Sequence, residues 1–223
     1  MGRAGLIGAG SAGAVVLVLV LAQVFLPGIA ADRVSSRVGR YGTVESVSVK
    51  AWPAVELLWG RVDSVKVRAK SLRLSPAQAA GLVWEARGTD SVDLTAEGVQ
   101  VGPLRLTNAS LSKRGSALSG EGLASEADVR AALPAGIGVQ LVKSEGGQVE
   151  VQASGGLFGV SASVNAVAEA REGRLVAHPL GFLLEGFQLT LFSDPHVYVR
   201  GVGASVEGQR PLSYRLTISA SLR

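Results

Sequence analysis

The sequence predicts an α+β, mostly β fold: an N-terminal membrane-spanning helix or signal over residues 1–31, then a β-rich domain over 32–223. Three observations predict it. Residues 1–31 hold a single charged side chain, Arg3. From Thr43 onward the spacing of apolar residues changes from a period of 3.6 to a period of 2. The chain also carries 29 glycines in 223 residues, well above the usual share of about 7%, and they punctuate short strands.

The N-terminal element comes first. Ala4 to Ala31 is an uncharged run of 28 positions, and Val15–Leu26 is almost purely aliphatic; a spanning helix needs about 20 such residues. Arg3 supplies a short positive n-region, with small-residue cleavage points after Ala30 or Ala31. The run exceeds the usual signal core of about 7–15 residues, which favours an uncleaved anchor. The expected location is therefore the cell membrane, single-pass with an extracytoplasmic domain, with export after signal cleavage as the alternative. Arg33, Arg37 and Arg40 follow the span, and positive residues generally stay cytoplasmic, so the charge rule does not support this orientation. Asp32–Gly39 reads as a helical continuation with these arginines on one polar side, an interfacial collar.

The strands follow in order. Val47 and Val49 alternate with serines and Lys50, and Val65, Val67 and Ala69 alternate with Lys66, Arg68 and Lys70, giving one apolar and one basic face. Val92/Leu94/Ala96, Val99/Val101, Leu104/Leu106 and Ala109/Leu111 repeat the pattern, with turns read at Glu97-Gly98 and Gly102-Pro103. Val139/Leu141 and Val149/Val151 flank a hairpin turn at Glu145-Gly146-Gly147. Val160, Ala162 and Val164 follow Gly155-Gly156, and Glu172-Gly173 turns the chain into Leu175–Ala177. Phe187/Leu189/Leu191, Val197/Val199 and Leu212/Tyr214/Leu216/Ile218 complete a long antiparallel meander. Two short helices interrupt it: Pro53–Trp59, stopped by Gly60, and Ser125–Leu133, opened by a Ser125–Asp128 capping box.

Composition narrows function. Hydrophobic residues make up 47% and charged residues 18%, while aromatics are only 5%, so the apolar surface to be managed is aliphatic. The chain has no cysteine and only two histidines, His178 and His196, which removes thiolate chemistry and leaves little for imidazole chemistry. No cofactor is called for. Asp90 and Asp93 fall on opposite faces by parity, Asp194-Pro195-His196 reads as a turn, and no nucleophile–base motif stands out, so the chain is not read as an enzyme. Beyond residue 31 there are 21 basic and 18 acidic groups, too small and scattered an excess for nucleic acid but compatible with weak attraction to anionic headgroups.

A meander with one aliphatic face must cover it. Either two faces close as a sandwich with a dry core, or a sheet curls around an apolar guest such as a lipid tail. Burying each methylene of such a tail stabilises by about 0.8 kcal/mol.

The stretch from Val47 through Trp52-Pro53, Leu57-Leu58-Trp59, Gly60-Arg61 and Asp63 to Val67 resembles the signature of the LmeA-like phospholipid-binding family of actinobacterial cell envelopes. Ala31-Asp32-Arg33 and Ala124–Leu133 are similar to that family too. Trp52 stands where Phe is usual and Ala54 where a second bulky residue is, and the strands from Pro195 on fit less clearly. The resemblance implies a tubular lipid-binding fold, a curved meander enclosing an apolar cavity, that serves lipid transfer or envelope glycolipid assembly. Phospholipid and the membrane are then the expected partners.

Expected lipid-contact residues are Trp52, Pro53, Leu57, Leu58 and Trp59, which also read as interfacial anchors or helix-to-sheet packing, with Leu183, Phe187, Leu189 and Leu191 from the greasiest stretch outside the anchor. Arg61 and Lys66 read as solvated faces or as phosphate contacts at a cavity mouth. The competing reading is a structural or adaptor module of the envelope with a dry core that binds a protein partner.

Overall fold

The computed structural model describes residues 26–52, 62–133, 135–157, 160–181, 186–209 and 212–223. Residues 26–38 form helix α1, which ends in a 3-10 turn over Gly39–Tyr41. Then come β1 (Gly42–Lys50), β2 (Val62–Leu74), α2 (Pro76–Glu85), β3 (Thr89–Val101), β4 (Leu104–Arg114), β5 (Ala117–Ser125) and α3 (Glu126–Ala132). The rest is strand: β6 (Ile137–Glu145), β7 (Gln148–Leu157), β8 (Val160–Arg171), β9 (Arg174–Pro179), β10 (Leu189–Phe192), β11 (Val197–Gln209) and β12 (Leu212–Leu222).

The mostly β expectation holds, with two differences in topology. The strands form two open sheets, ordered β1-β2-β3-β4-β5-β12-β11 and β10-β9-β8-β7-β6. The chain leaves the first sheet after β5, builds the second, and returns with β11 and β12. The second difference is that β2 and β3 pair in parallel, because α2 carries the chain back across the sheet as a parallel crossover requires. Helix α2 went unread, although its start is written in Ser75-Pro76-Ala77-Gln78. Ser75 Oγ accepts from the Gln78 N–H at 3.2 Å, Gln78 Oε1 accepts from the Ser75 N–H at 2.7 Å, and Pro76 occupies the first turn. The predicted helix near Ser125 is α3, with Ser125 Oγ accepting from the Asp128 N–H at 3.1 Å.

The predicted helix Pro53–Trp59 and most of the apolar run before α1 lie outside the described residues. Among the described residues, no helix is long and apolar enough to cross a membrane. Ala30, Ala31, Val34 and Val38 of α1, spaced by about one turn, pack onto the core of the first sheet. The expected collar is thus a docked helix: Arg33, Arg37 and Arg40 stay exposed on its polar side, and Arg37 reaches Glu85 of α2 at 2.7 Å.

Register shows why the alternation is continuous. Val49, Val65, Val92, Lys113, Leu118, Ala220 and Val199 are successive cross-strand partners over all seven strands of the first sheet. Cross-strand partners share a face, so one side is aliphatic apart from Lys113. The other presents Ser48, Lys66, Asp93, Ser112, Ser119 and Ser219. The apolar phase slips by one residue after Ala69, after Ala96 and before Ala109, where Lys70, Glu97 and Asn108 are left out of the pairing. At this level β2, β3 and β4 keep step with one another, and the register shifts fall at the outer pairs, at Lys70 against β1 and at Asn108 against β5; such bulges bend a sheet. Glu97-Gly98, expected as a turn, lies inside β3. Gly155-Gly156 likewise lies within β7 rather than before it.

The outer edge of β11 is closed by the hairpin tips of the second sheet. Val202 N–H donates to Gly147 O, Ala204 N–H to Ser144 Oγ and Val199 N–H to Gly173 O, each at 2.9 Å, which pairs N–H groups an edge strand would leave open. Gly147 and Gly201 make the close approach possible, since a Cβ on Gly201 would sit 3.2 Å from Gly147 Cα.

Candidate functional site

Helices α1 and α2 cover only part of the aliphatic face. Near Lys113 the row is closed: Val49, Val65, Leu118, Ala220 and Val199 are all buried, with Ala80 and Val83 of α2 packed against the Leu118–Ala220 end. One register step away the row Val47, Val67, Leu94, Leu111, Gly120, Ile218 and Val202 is again apolar, but only Val67 is fully buried.

The second sheet is barer. Its rows Val139–Ala153–Val164, Leu141–Val151–Ala166–Pro179 and Val149–Ala168–Ala177–Leu189 lie on one face, and none of these residues is fully buried. The opposite face carries Gln140, Gln152 and Asn165 in register. Phe192 of β10, partner of Leu175 on the aliphatic side, packs against the cluster of Ala80, Leu118, Val197 and Ala220. The two aliphatic faces therefore meet at Phe192. They form one extended half-covered surface with no polar partner to offer, suited to hydrocarbon rather than to a hydrogen-bonding ligand.

Lys113 is the one charge in the closed row. It is 1% exposed, and its ammonium donates to Thr89 O and, at 3.5 Å, to Arg87 O, where the turn after α2 presents free carbonyls. Burial pushes its pKa below the ordinary 10.5, and the Asp90 carboxylate partly offsets that. Replacing Lys113 by Met should orphan these carbonyls and cost about 2–3 kcal/mol in chemical denaturation. The sign of the pH effect follows from the lowered pKa. The native state resists protonating Lys113 more than the unfolded chain does, so wild-type stability should rise as pH climbs toward 10.5. Lys113→Met should lack that rise, and the difference between the two stability profiles measures it.

The expected contact residues divide. Pro53, Leu57, Leu58, Trp59 and Leu183 lie outside the described residues. Trp52 is 78% exposed at the end of β1, its N–H bonded to an Asp63 carboxylate oxygen at 2.7 Å. Phe187, Leu189 and Leu191 are 66%, 54% and 47% exposed in and just before β10. The two groups thus flank the outermost strand of each sheet. Leu189 continues the aliphatic row through Ala177. Sequence reasoning passed over the half-buried middle of the surface, Leu94, Leu111, Leu141, Val151 and Ile218, whose only signal is alternation.

Two open concavities lie among the described residues, each lined by both polar and apolar groups. One, of about 570 Å³, lies where the β6–β7 tip meets β11 and β12 and is lined by Ser110, Ser112, Ser119, Glu121, Thr217 and Ser219 among others. The second, of about 460 Å³, lies where α1 joins β1. Asp194 Oδ1 accepts from the His196 N–H at 2.9 Å and the His196 ring lies 4.3 Å from that of Trp84, so this triplet is the turn it was read as.

No curated protein and no solved structure is similar enough to the chain to be matched to it. The family model described as LmeA-like phospholipid-binding matches residues 21–218, a span that takes in every strand but the last residues of β12. The chain belongs to the LmeA-like phospholipid-binding family.

Proposed function

We propose that this chain binds phospholipid without catalysing a reaction on it, laying acyl chains along the aliphatic surface shared by the two sheets. The carrying observation is that surface: apolar rows that run in register across each sheet, broken by Lys113 in the first and by Ser144 at the edge of the second, and covered only in part by α1 and α2. An aliphatic surface with few aromatics accepts varied acyl chains, which suits carrying a lipid more than recognising one. The uncharged run that begins at Ala4 holds the domain at the outer side of the cytoplasmic membrane in this reading, ahead of the residues Ala30 and Ala31 that pack on the first sheet. There it serves lipid transfer or envelope glycolipid assembly.

The test is lipid analysis of the full chain, purified in a detergent that does not dissolve phospholipid from proteins of this size. We expect stoichiometric phospholipid, and its loss from Leu189→Asp, which puts a carboxylate at the end of the Val149–Ala168–Ala177 row. A folded wild-type chain free of lipid, and taking up none from vesicles, would favour the adaptor reading.

A further inference from the structure

The smaller concavity, about 460 Å³, brings three arginines together. That volume falls in the range of roughly 300–1,000 Å³ typical of ligand clefts. Three arginines line it from three separate segments: Arg40 from the turn after α1, Arg73 from β2 and Arg105 from β4. Tyr41 and Gln100 add polar groups, and Gln100 Nε2 is already directed to Gly102 O at 3.2 Å. All three arginines are exposed. Among the described residues none of them forms an ion pair, whereas Arg37, Arg114, Arg130, Arg171, Arg174 and Arg215 each do.

Holding three like charges in one groove costs repulsion that a bound anion removes. Guanidinium forks match the oxygens of phosphate in pairs, which a lysine cluster would not do. The same side of β2 carries Lys66 and Arg68, partners of Asp93 and Thr95, so the approach to the groove is also positive. Arg73 and Arg105 stand on the polar side of the sheet, opposite Leu72 and the aliphatic surface.

We propose that Arg40, Arg73 and Arg105 form a binding site for a phosphate group, separate from the aliphatic surface. The phosphate is carried either by a lipid headgroup still in a bilayer or by a soluble phosphate ester. Only the headgroup source rests on the lipid reading; the phosphate chemistry does not. A headgroup held here would seat the polar side of β2–β4 on an anionic membrane while the aliphatic surface stays free to take an acyl chain.

The test is calorimetric titration of the full chain in an uncharged detergent with glycerol 3-phosphate, with inorganic phosphate, and with mixed micelles of phosphatidylglycerol or phosphatidylcholine. Arg73→Gln/Arg105→Gln should weaken phosphate or phosphatidylglycerol binding about tenfold or more. Lys66→Gln/Arg68→Gln, which removes the same charge from the same face, should change it less than about twofold. Arg73→Lys/Arg105→Lys keeps the charge and loses the forks, and should fall between the two. Binding of phosphatidylglycerol micelles but neither soluble probe assigns the headgroup source; binding of a soluble probe alone assigns the ester. No binding of any anionic probe, or equal losses in the arginine and lysine-side variants, overturns the proposal. Phosphatidylcholine uptake is read in the same samples. If it is absent from the wild type the lipid reading fails, whatever the groove does; if it is present and the arginine variants behave as wild type, only the groove proposal fails.

Discussion

Val151→Asp is expected to remove bound phospholipid about 100-fold or more while leaving the chain folded. Val151 lies mid-strand in β7, between Leu141 on one side and Ala166 on the other, and it is half-buried. Its side chain still meets solvent in the absence of lipid, so a carboxylate there keeps its water and the destabilisation should stay near 1 kcal/mol. With an acyl chain laid over the row, the same carboxylate would be buried without a partner, at a cost of several kcal/mol. That difference converts directly into lost affinity. Gln152→Asp is the control: same strand, next residue, opposite face, exposed. Lipid content per chain, measured beside a thermal melt of each variant, checks the expectation. Equal lipid retention in both variants would remove the second sheet from the binding surface.

The largest expected effect on stability is at Gly42, where α1 is tied to the first sheet. A Cβ at this position would fall 1.9 Å from Ser71 O, 2.8 Å from Ser71 C and 3.0 Å from Leu72 Cα. All three are backbone atoms of β2, and no side-chain rotation relieves them. Gly42→Ala must therefore push β1 away from β2 at the start of their pairing, Gly42 against Leu72. It should also loosen Val38, which belongs to the same core cluster as Leu72. We expect a loss of about 3 kcal/mol, at the upper end of what overpacking costs. For a domain of this size that is a drop of about 6–12 °C in Tm. An unchanged Tm would mean that the junction between α1 and β1 is not held as the structure has it.

Much of the architecture was legible because alternation survives in the chain. The strands from Val47 to Ile218, the hairpin turns at Gly146-Gly147 and Glu172-Gly173, and the Ser125 cap of α3 all follow from local chemistry. Pairing was not legible. Nothing in the period of β2 and β3 tells parallel from antiparallel; only the unread capping box at Ser75 marked the helix that makes them parallel. The slips at Ala69/Leu72 and Ala96/Val99 were visible as breaks in parity. A break reads equally as a turn or as an irregularity within a strand, and the pairing of the neighbouring strand on both sides of it decides between them.

The site was legible in kind and less so in place. Aromatic and Leu-rich stretches drew attention to Trp52 and to Phe187, Leu189 and Leu191, which prove to be exposed at the outermost strands. The broad surface between them is made of Val, Ala and Leu at unremarkable positions. It becomes a surface only when register brings, for example, Leu94, Leu111 and Gly120 side by side. The arginine groove was invisible for the same reason, since Arg40, Arg73 and Arg105 are far apart in the chain and meet only in the fold.

The central claim is that acyl chains lie on the aliphatic surface, and photo-crosslinking tests it most directly. The full chain would be reconstituted with phosphatidylcholine bearing a diazirine at the end of one acyl chain, irradiated, and the adducts mapped by mass spectrometry. We predict adducts on Leu111, Leu141, Val151 and Ile218, with none on Gln140, Gln152 or Ser112 of the opposite faces. Adducts confined to the residues before Asp32, with the sheets unlabelled, would contradict the account: the lipid would then touch only the apolar N-terminal run, and the aliphatic surface would belong to something else.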